Sequence, residues 1–311
     1  MSTPRILLHH YESSPYAEKV RLALGLKDVE WGSVETSAVP PRPLLAPLTG
    51  GYRRIPVMQV GADIYCDTHA ILPALDRLHP EPSLSPGLAP GLAEALSYGF
   101  ERDIWLAAIG VRVHFAGDAP AEFLRDRKED YLYIDMSHAA MEPDFPRNAQ
   151  RVAAWVARFG RALTDGRPFL GGDAPGTADL GVFHVLWLMR DGPQAGQVDT
   201  LLGLTPPMLD WYGRIAEIGH GRRQAVSPED ALAAARVAEP TLVQGGNGVE
   251  DLIEARVGDA VTVTPDDFAR VPVQGSLVAI DAERVVIGRE DADLGALHLH
   301  FPRAGFFVAR D

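Results

Sequence analysis

Hydrophobic positions change their period twice along the chain, and the changes divide it into three regions. In the first, Ile6-Leu7-Leu8 is a short apolar run of the kind a buried strand shows. His9-His10-Tyr11-Glu12-Ser13-Ser14-Pro15 breaks the run, and from Tyr16 the apolar positions Tyr16, Val20, Ala23 and Leu24 follow helical spacing. Ser14 before Pro15 predicts the helix start, with a hydroxyl at the N-cap and proline at the first helical position. Val29 and Trp31 alternate with polar neighbours as a second short strand. Residues 55–60 and 64–66 read as antiparallel strands joined by a turn at Gly61-Ala62-Asp63. Asp67-Thr68 then opens a helix whose apolar positions are Ile71, Leu72, Leu75 and Leu78.

The second region follows a proline-rich linker at 80–90. Residues 92–115 predict a long helix, apolar on two sides, which suits the centre of a bundle or an interface with a second subunit. Helices are expected over 122–136 and 149–163, after Gly176, over 208–216, and over 227–238 behind a Ser227-Pro228 cap. Gly245-Gly246-Asn247-Gly248 marks the next boundary. Beyond it the period becomes two, with short strands over 261–264, 277–280, 284–287, 297–301 and 306–309. The expected architecture is therefore multi-domain α and β. It comprises an α/β domain at 1–80, an all-α domain at 88–240 and a small all-β, barrel-like module of unassigned role at 245–311.

Composition removes several functional classes. A formal net charge of −13 in 311 residues argues against nucleic acid or an anionic membrane as partner. No segment has the apolar length of a membrane helix, and the chain enters a strand so early that a signal peptide is not expected. One cysteine excludes a disulfide framework and points to the cytoplasm.

Candidate chemistry gathers in the first region. Ser14 would sit at the positive end of its helix beside amides with no intrahelical partner, where a protein can hold an anion or thiolate, or it only caps the helix. Pro56 inside a strand pattern predicts a cis Ile55–Pro56 bond, with the backbone of Ile55 left to pair with a ligand. Arg42 and Arg53-Arg54 border a proline-rich stretch at 39–47 and are either cationic donors or solvated surface arginines. Cys66 reads as a small buried hydrophobe. His298 and His300 share one face of a strand, but no carboxylate or cysteine has the spacing to complete a metal site; solvated histidines and no metal are expected.

Three segments carry a family resemblance. Ser14-Pro15-Tyr16-Ala17-Glu18-Lys19-Val20-Arg21 resembles the first helix of the glutaredoxin and glutathione-transferase superfamily, with Ser14 and Ala17 where glutaredoxins place cysteines. Thiol–disulfide exchange at this turn is thereby excluded. Ile55-Pro56-Val57, followed by Asp67-Thr68-His69-Ala70-Ile71, is similar to the cis-proline and Glu/Asp-Ser-x-Ala-Ile elements of glutathione transferases. Gly171 to Asp179 resembles the element that starts the core helix of their C-terminal domain, with Gly176 in place of the usual Ser/Thr cap. The resemblance spans residues 4–220 and implies a thioredoxin-like fold for 1–80 and a helical transferase domain after it.

It further implies glutathione as co-substrate and a homodimer. Ser14 would stabilise the thiolate, Ile55, Pro56, Asp67, Thr68 and Arg42 would bind glutathione, and the helical domain would supply the pocket for a small-molecule electrophile. Tyr11 and Ser13 are rival donors to the sulfur. Glutathione-dependent isomerisation would use the same residues. The alternative is a non-catalytic protein of transferase fold that binds partners through the helical domain or the β module.

Overall fold

The computed structural model describes residues 6–89, 91–243 and 254–311. Met1–Arg5, Pro90 and the glycine-rich boundary at 245–248 lie outside the described residues. In chain order the first elements are β1 (Ile6–His10), α1 (Pro15–Leu26), β2 (Glu30–Glu35), α2 (Ala46–Thr49), β3 (Val57–Val60), β4 (Asp63–Cys66) and α3 (Thr68–Leu78). Next come α4 (Leu92–Ala116), α5 (Ala121–Asp126), α6 (His138–Met141), α7 (Phe145–Ala162), α8 (Thr177–Arg190), α9 (Ala195–Leu202) and α10 (Pro206–Ala216). The chain then forms β5 (Arg222–Ala225), α11 (Pro228–Arg236), β6 (Ala260–Pro265), β7 (Val273–Ile280), β8 (Arg284–Asp291), β9 (Gly295–Pro302) and β10 (Phe306–Arg310). Two compact units divide these elements: one takes the chain up to Ala17, Val29–Leu75 and Arg222–Asp311, the other Glu18–Asp28 and Asp76–Gly221. No helix among the described residues is long and apolar enough to cross a membrane.

One ten-stranded sheet organises the first unit, in the order β10-β6-β7-β8-β9-β4-β3-β1-β2-β5. Its N-terminal part is the expected thioredoxin-like set: β1 runs parallel to β2 and antiparallel to β3, and β4 pairs antiparallel with β3. The C-terminal strands form as predicted, but they are not a separate barrel. Strand β9 pairs parallel with β4, setting Asp63 opposite His298 and Tyr65 opposite His300, so the two strand sets are continuous. Leu48, Tyr52, Val57 and Ile64 share one buried apolar cluster with Leu277, Leu299 and Phe301. At the far edge β5 pairs parallel with β2. Its sequence Arg-Arg-Gln-Ala is exposed throughout and has no apolar alternation to announce a strand.

Helix α11 covers part of the same sheet, with Ala231 buried against Leu7 and Val34. Gln59 links the layers: its amide nitrogen donates to the Ala231 carbonyl at 2.8 Å and its oxygen lies 2.9 Å from His9 Nε2. Since the amide nitrogen is donating, the oxygen accepts, and His9 must carry its proton on Nε2.

In the helical unit α4 packs against both α7 and α8, which accounts for its two apolar sides. Lys19 is fully buried, its Nζ 2.5 Å from Glu101 Oε1 and 2.9 Å from Ser97 Oγ. Asp179 accepts from the amides of Gly176 (3.1 Å) and Leu170 (2.8 Å) and from Trp211 Nε1 (2.7 Å). The expected reach-back to the capping amide is present. Glycine stands at 176 because a Cβ there would lie 2.5 Å from the Leu84 carbonyl oxygen. The helix expected over 122–136 is broken: α5 ends at Asp126 and Arg127–Tyr131 is a π turn. Arg127 explains it by stacking on the rings of both Phe123 and Tyr131, at 4.0 and 4.4 Å to their centroids.

A chain ending at residue 243 would strip β9 from β4 and bare one side of the shared apolar cluster. Such a chain is expected to lose the cooperative thermal transition of the full chain and to bind a hydrophobic dye, which circular dichroism and dye fluorescence will read.

Candidate functional site

Register puts the sequence-predicted residues at one end of the sheet. His9 of β1 faces Val57 at the start of β3, and Val57 faces Cys66 at the end of β4. The turn after β1, the Ile55–Pro56 peptide before β3 and Asp67-Thr68 after β4 therefore emerge together. The Ile55–Pro56 bond is cis, as expected, and so are Pro40–Pro41 and Glu81–Pro82, which the sequence reading did not single out.

Ser14 is 1% exposed, and its Oγ accepts the amide of Ala17 at 3.1 Å. It caps α1. Ser13 beside it is exposed and Tyr11 is half-buried. His10, at the end of β1, is buried and its Nε2 lies 2.8 Å from Ser33 Oγ.

Asp67 adopts the left-handed region with φ 84°, and its Oδ1 accepts the amide of His69 at 3.0 Å. Thr68 opens α3 and is 3% exposed, and its hydroxyl has no hydrogen-bond partner among the described residues. A buried hydroxyl at a helix N-terminus, beside a half-buried carboxylate, suits a ligand that carries both a carboxylate and an ammonium group.

Arg42 lies in the proline-rich loop. Its guanidinium bonds to the carbonyls of Ser37 (2.7 Å), Ala38 (2.9 Å) and Arg53 (2.6 Å), closing the proline-rich loop. Arg54 is the cation beside the site, with Nη1 3.7 Å from Asp67 Oδ2. Its Nη2 bonds to the Asp267 carboxylate and the Phe268 carbonyl, and the guanidinium lies over the Phe306 ring. The C-terminal strands thus deliver residues to the rim of the site, which no local motif around Asp267 signals. Cys66 is fully buried, and burial together with the Asp67 charge pushes its thiol well above the ordinary value, as an inert structural cysteine requires.

The two histidines of β9 also need correction. His300 is buried, stacked on Tyr65 at 4.3 Å, with Nε2 2.8 Å from Asp63 Oδ1. His298 is mostly covered and turns Nδ1 toward the same oxygen at 3.9 Å. A carboxylate therefore does join the pair, supplied by the neighbouring strand. Burial opposes the charge on Asp63, but hydrogen bonds from His300 and Thr241 outweigh it and hold its pKa below the usual value. Burial likewise lowers His300, against the pull of Asp63.

Residues 8–83 match the family described as glutathione S-transferase, N-terminal domain. A GST-like protein from Pseudomonas syringae is 30% identical, over 99% of this chain and 100% of its own length, with a TM-score of 0.80. The chain belongs to the glutathione transferase family. That match runs through the C-terminal strands as well. A Ceriporiopsis subvermispora transferase, solved in complex with glutathione, is 15% identical over 69% of this chain and 97% of its own, with a TM-score of 0.55. Transferase F2 of Populus trichocarpa is 14% identical over 75% and 100%, with a TM-score of 0.51. These two share the fold with this chain. No curated protein matches it.

Behind the site, burial lowers the His9 imidazole to about 4, although the Gln59 bond works the other way. The folded state therefore holds His9 neutral while the unfolded chain protonates near 6.5. Stability should be full above pH 6.5 and fall through the window down to about 4, by about 3 kcal/mol from this residue. Urea unfolding at pH 7, 5 and 4 checks it: His9→Asn should flatten that part of the slope.

Proposed function

We propose that this transferase binds glutathione at the sheet end between Ile55–Pro56 and Asp67-Thr68 and activates its thiol for attack on a small electrophile. The observation that carries the reading is Thr68, whose buried hydroxyl at the N-terminus of α3 meets no hydrogen-bond partner among the described residues. In this reading Thr68 and the helix end take the γ-glutamyl carboxylate, and Asp67 takes the amino group. Ile55 offers its backbone to the cysteinyl part. Arg42 acts through the loop it closes, holding Arg53-Arg54 beside the site. Glutathione in the Ceriporiopsis relative supports the choice of ligand.

Ser14 is the donor to the sulfur. Its Oγ accepts the Ala17 amide, which leaves the hydroxyl proton to give. A cysteine thiol titrates at about 8.5, so a donor that stabilises the anion raises the reactive fraction at neutral pH. Placing that sulfur beside the electrophile supplies the rest of the rate gain. Burial of Ser14 favours a second reading, in which the site binds glutathione without activating it and the protein serves as a partner-binding scaffold.

One hydrogen bond to a charged group is worth about 1.5–3 kcal/mol, roughly ten- to a hundredfold in thiolate population. Ser14→Ala should raise the pKa of bound glutathione and slow conjugation by that factor with affinity nearly unchanged, while Ser14→Thr restores both. Asp67→Ala should weaken binding first. Ultraviolet titration of the thiolate and a conjugation assay with a general electrophile read both effects. Glutathione bound without any thiolate at neutral pH establishes the scaffold reading, and wild-type behaviour of Ser14→Ala with loss in Tyr11→Phe makes Tyr11 the donor.

A homodimer belongs to the same proposal. Sedimentation at micromolar concentration should show twice the chain mass of 33.7 kDa, and a monomer alone would refute it.

A further inference from the structure

We propose that Asp63, His298 and His300 form a binding site for one divalent transition-metal ion that clamps β4 to β9. The three residues arrive on two strands whose parallel register sets Asp63 opposite His298, with His300 two positions on along the same face. One potential ligand atom from each lies within 4.8 Å of the other two. Asp63 Oδ1 is the common point, 2.8 Å from His300 Nε2 and 3.9 Å from His298 Nδ1.

A structural pin between the strands would need only one histidine. His300 makes a hydrogen bond of ordinary length to Asp63, whereas His298 faces the same oxygen from beyond hydrogen-bonding range. Two ligands of one ion, each about 2.0–2.2 Å from it, stand roughly 3–4 Å apart. The 3.9 Å separation lies in that range, and the 2.8 Å one reaches it when the His300–Asp63 hydrogen bond opens slightly to admit an ion. His298 Nδ1, the nitrogen turned toward Asp63, is buried and has no hydrogen-bond partner among the described residues. A buried imidazole nitrogen left unpaired inside the cluster calls for an occupant.

The surroundings orient the ligands as an outer shell does. Thr241 donates its amide (3.0 Å) and its hydroxyl (2.8 Å) to Asp63 Oδ2, which leaves Oδ1 turned to the histidines. The Tyr65 ring fixes the plane of His300 by stacking on it. Two imidazoles and one carboxylate select zinc, cobalt, nickel or iron over magnesium and calcium, which prefer oxygen ligands. The site is independent of glutathione binding.

A second histidine cluster, His114, His138 and Glu142, lies in the helical unit and would blur a stoichiometry. The test therefore uses the full chain carrying Glu142→Gln, freed of metal by chelator and titrated with Co2+ and Zn2+. One Co2+ per chain with visible ligand-field absorption is expected, together with a rise of the unfolding midpoint on adding Zn2+. His298→Gln in the same background should weaken Co2+ at least a hundredfold and abolish the rise. As a readout that needs no variant at the site, iron–ascorbate oxidation of the full chain should modify the peptide containing 295–302, as mass spectrometry will show. No Co2+ bound at micromolar excess, binding unchanged by His298→Gln, or no oxidation within 295–302 would overturn the proposal.

Discussion

The parallel pairing of β4 with β9 is the contact on which the sheet-bearing unit depends. Without it β4 would be an edge strand, with a row of unpaired backbone groups and Ile64 open on one side. With it, residues 237 positions apart become neighbours, as Asp63 and His300 are. Leu48, Tyr52 and Val57 then bury against side chains from the last quarter of the chain. Fixing a pair so distant costs chain entropy, which only a large shared apolar cluster can offset. The same pairing explains why Arg54 finds its partners in Asp267 and Phe268.

Each unit also buries charge, and each instance is matched to a partner. Lys19 lies against Glu101 and Ser97 inside the helical unit, Asp179 against two amides and an indole, and Asp63 against Thr241 and His300. Such groups contribute little net stability when paired, but removing one partner is strongly destabilising, because the other charge stays buried. They fix how elements meet. Asp179 joins the start of α8 to α10 through Trp211, and Lys19 ties α1 to α4.

Much of the candidate site was legible because its determinants are local. Ser14-Pro15 starts α1, Asp67-Thr68 starts α3 and a cis peptide precedes Pro56, each read from a few adjacent residues. Arg42 was found by spacing, which locates a guanidinium but does not say which carbonyls surround it, and here those of Ser37, Ala38 and Arg53 do. Sequence equally gave no hint that Ser14, though correctly placed at its helix end, would be almost completely covered.

Period and capping by themselves determined the order of strands and helices and the family resemblance, since both depend on neighbours within a turn or two of the chain. They did not determine β5, whose exposed polar residues form a strand only because β2 offers an edge. Nor did they determine the π turn at Arg127, which two aromatic rings decide by enclosing one guanidinium. Which strands lie side by side was likewise outside their reach. Alternation fixes the face a residue takes but not its neighbour across the sheet. His298 and His300 could be put on one face from sequence, but Asp63 joined them only when β9 settled beside β4 in one register.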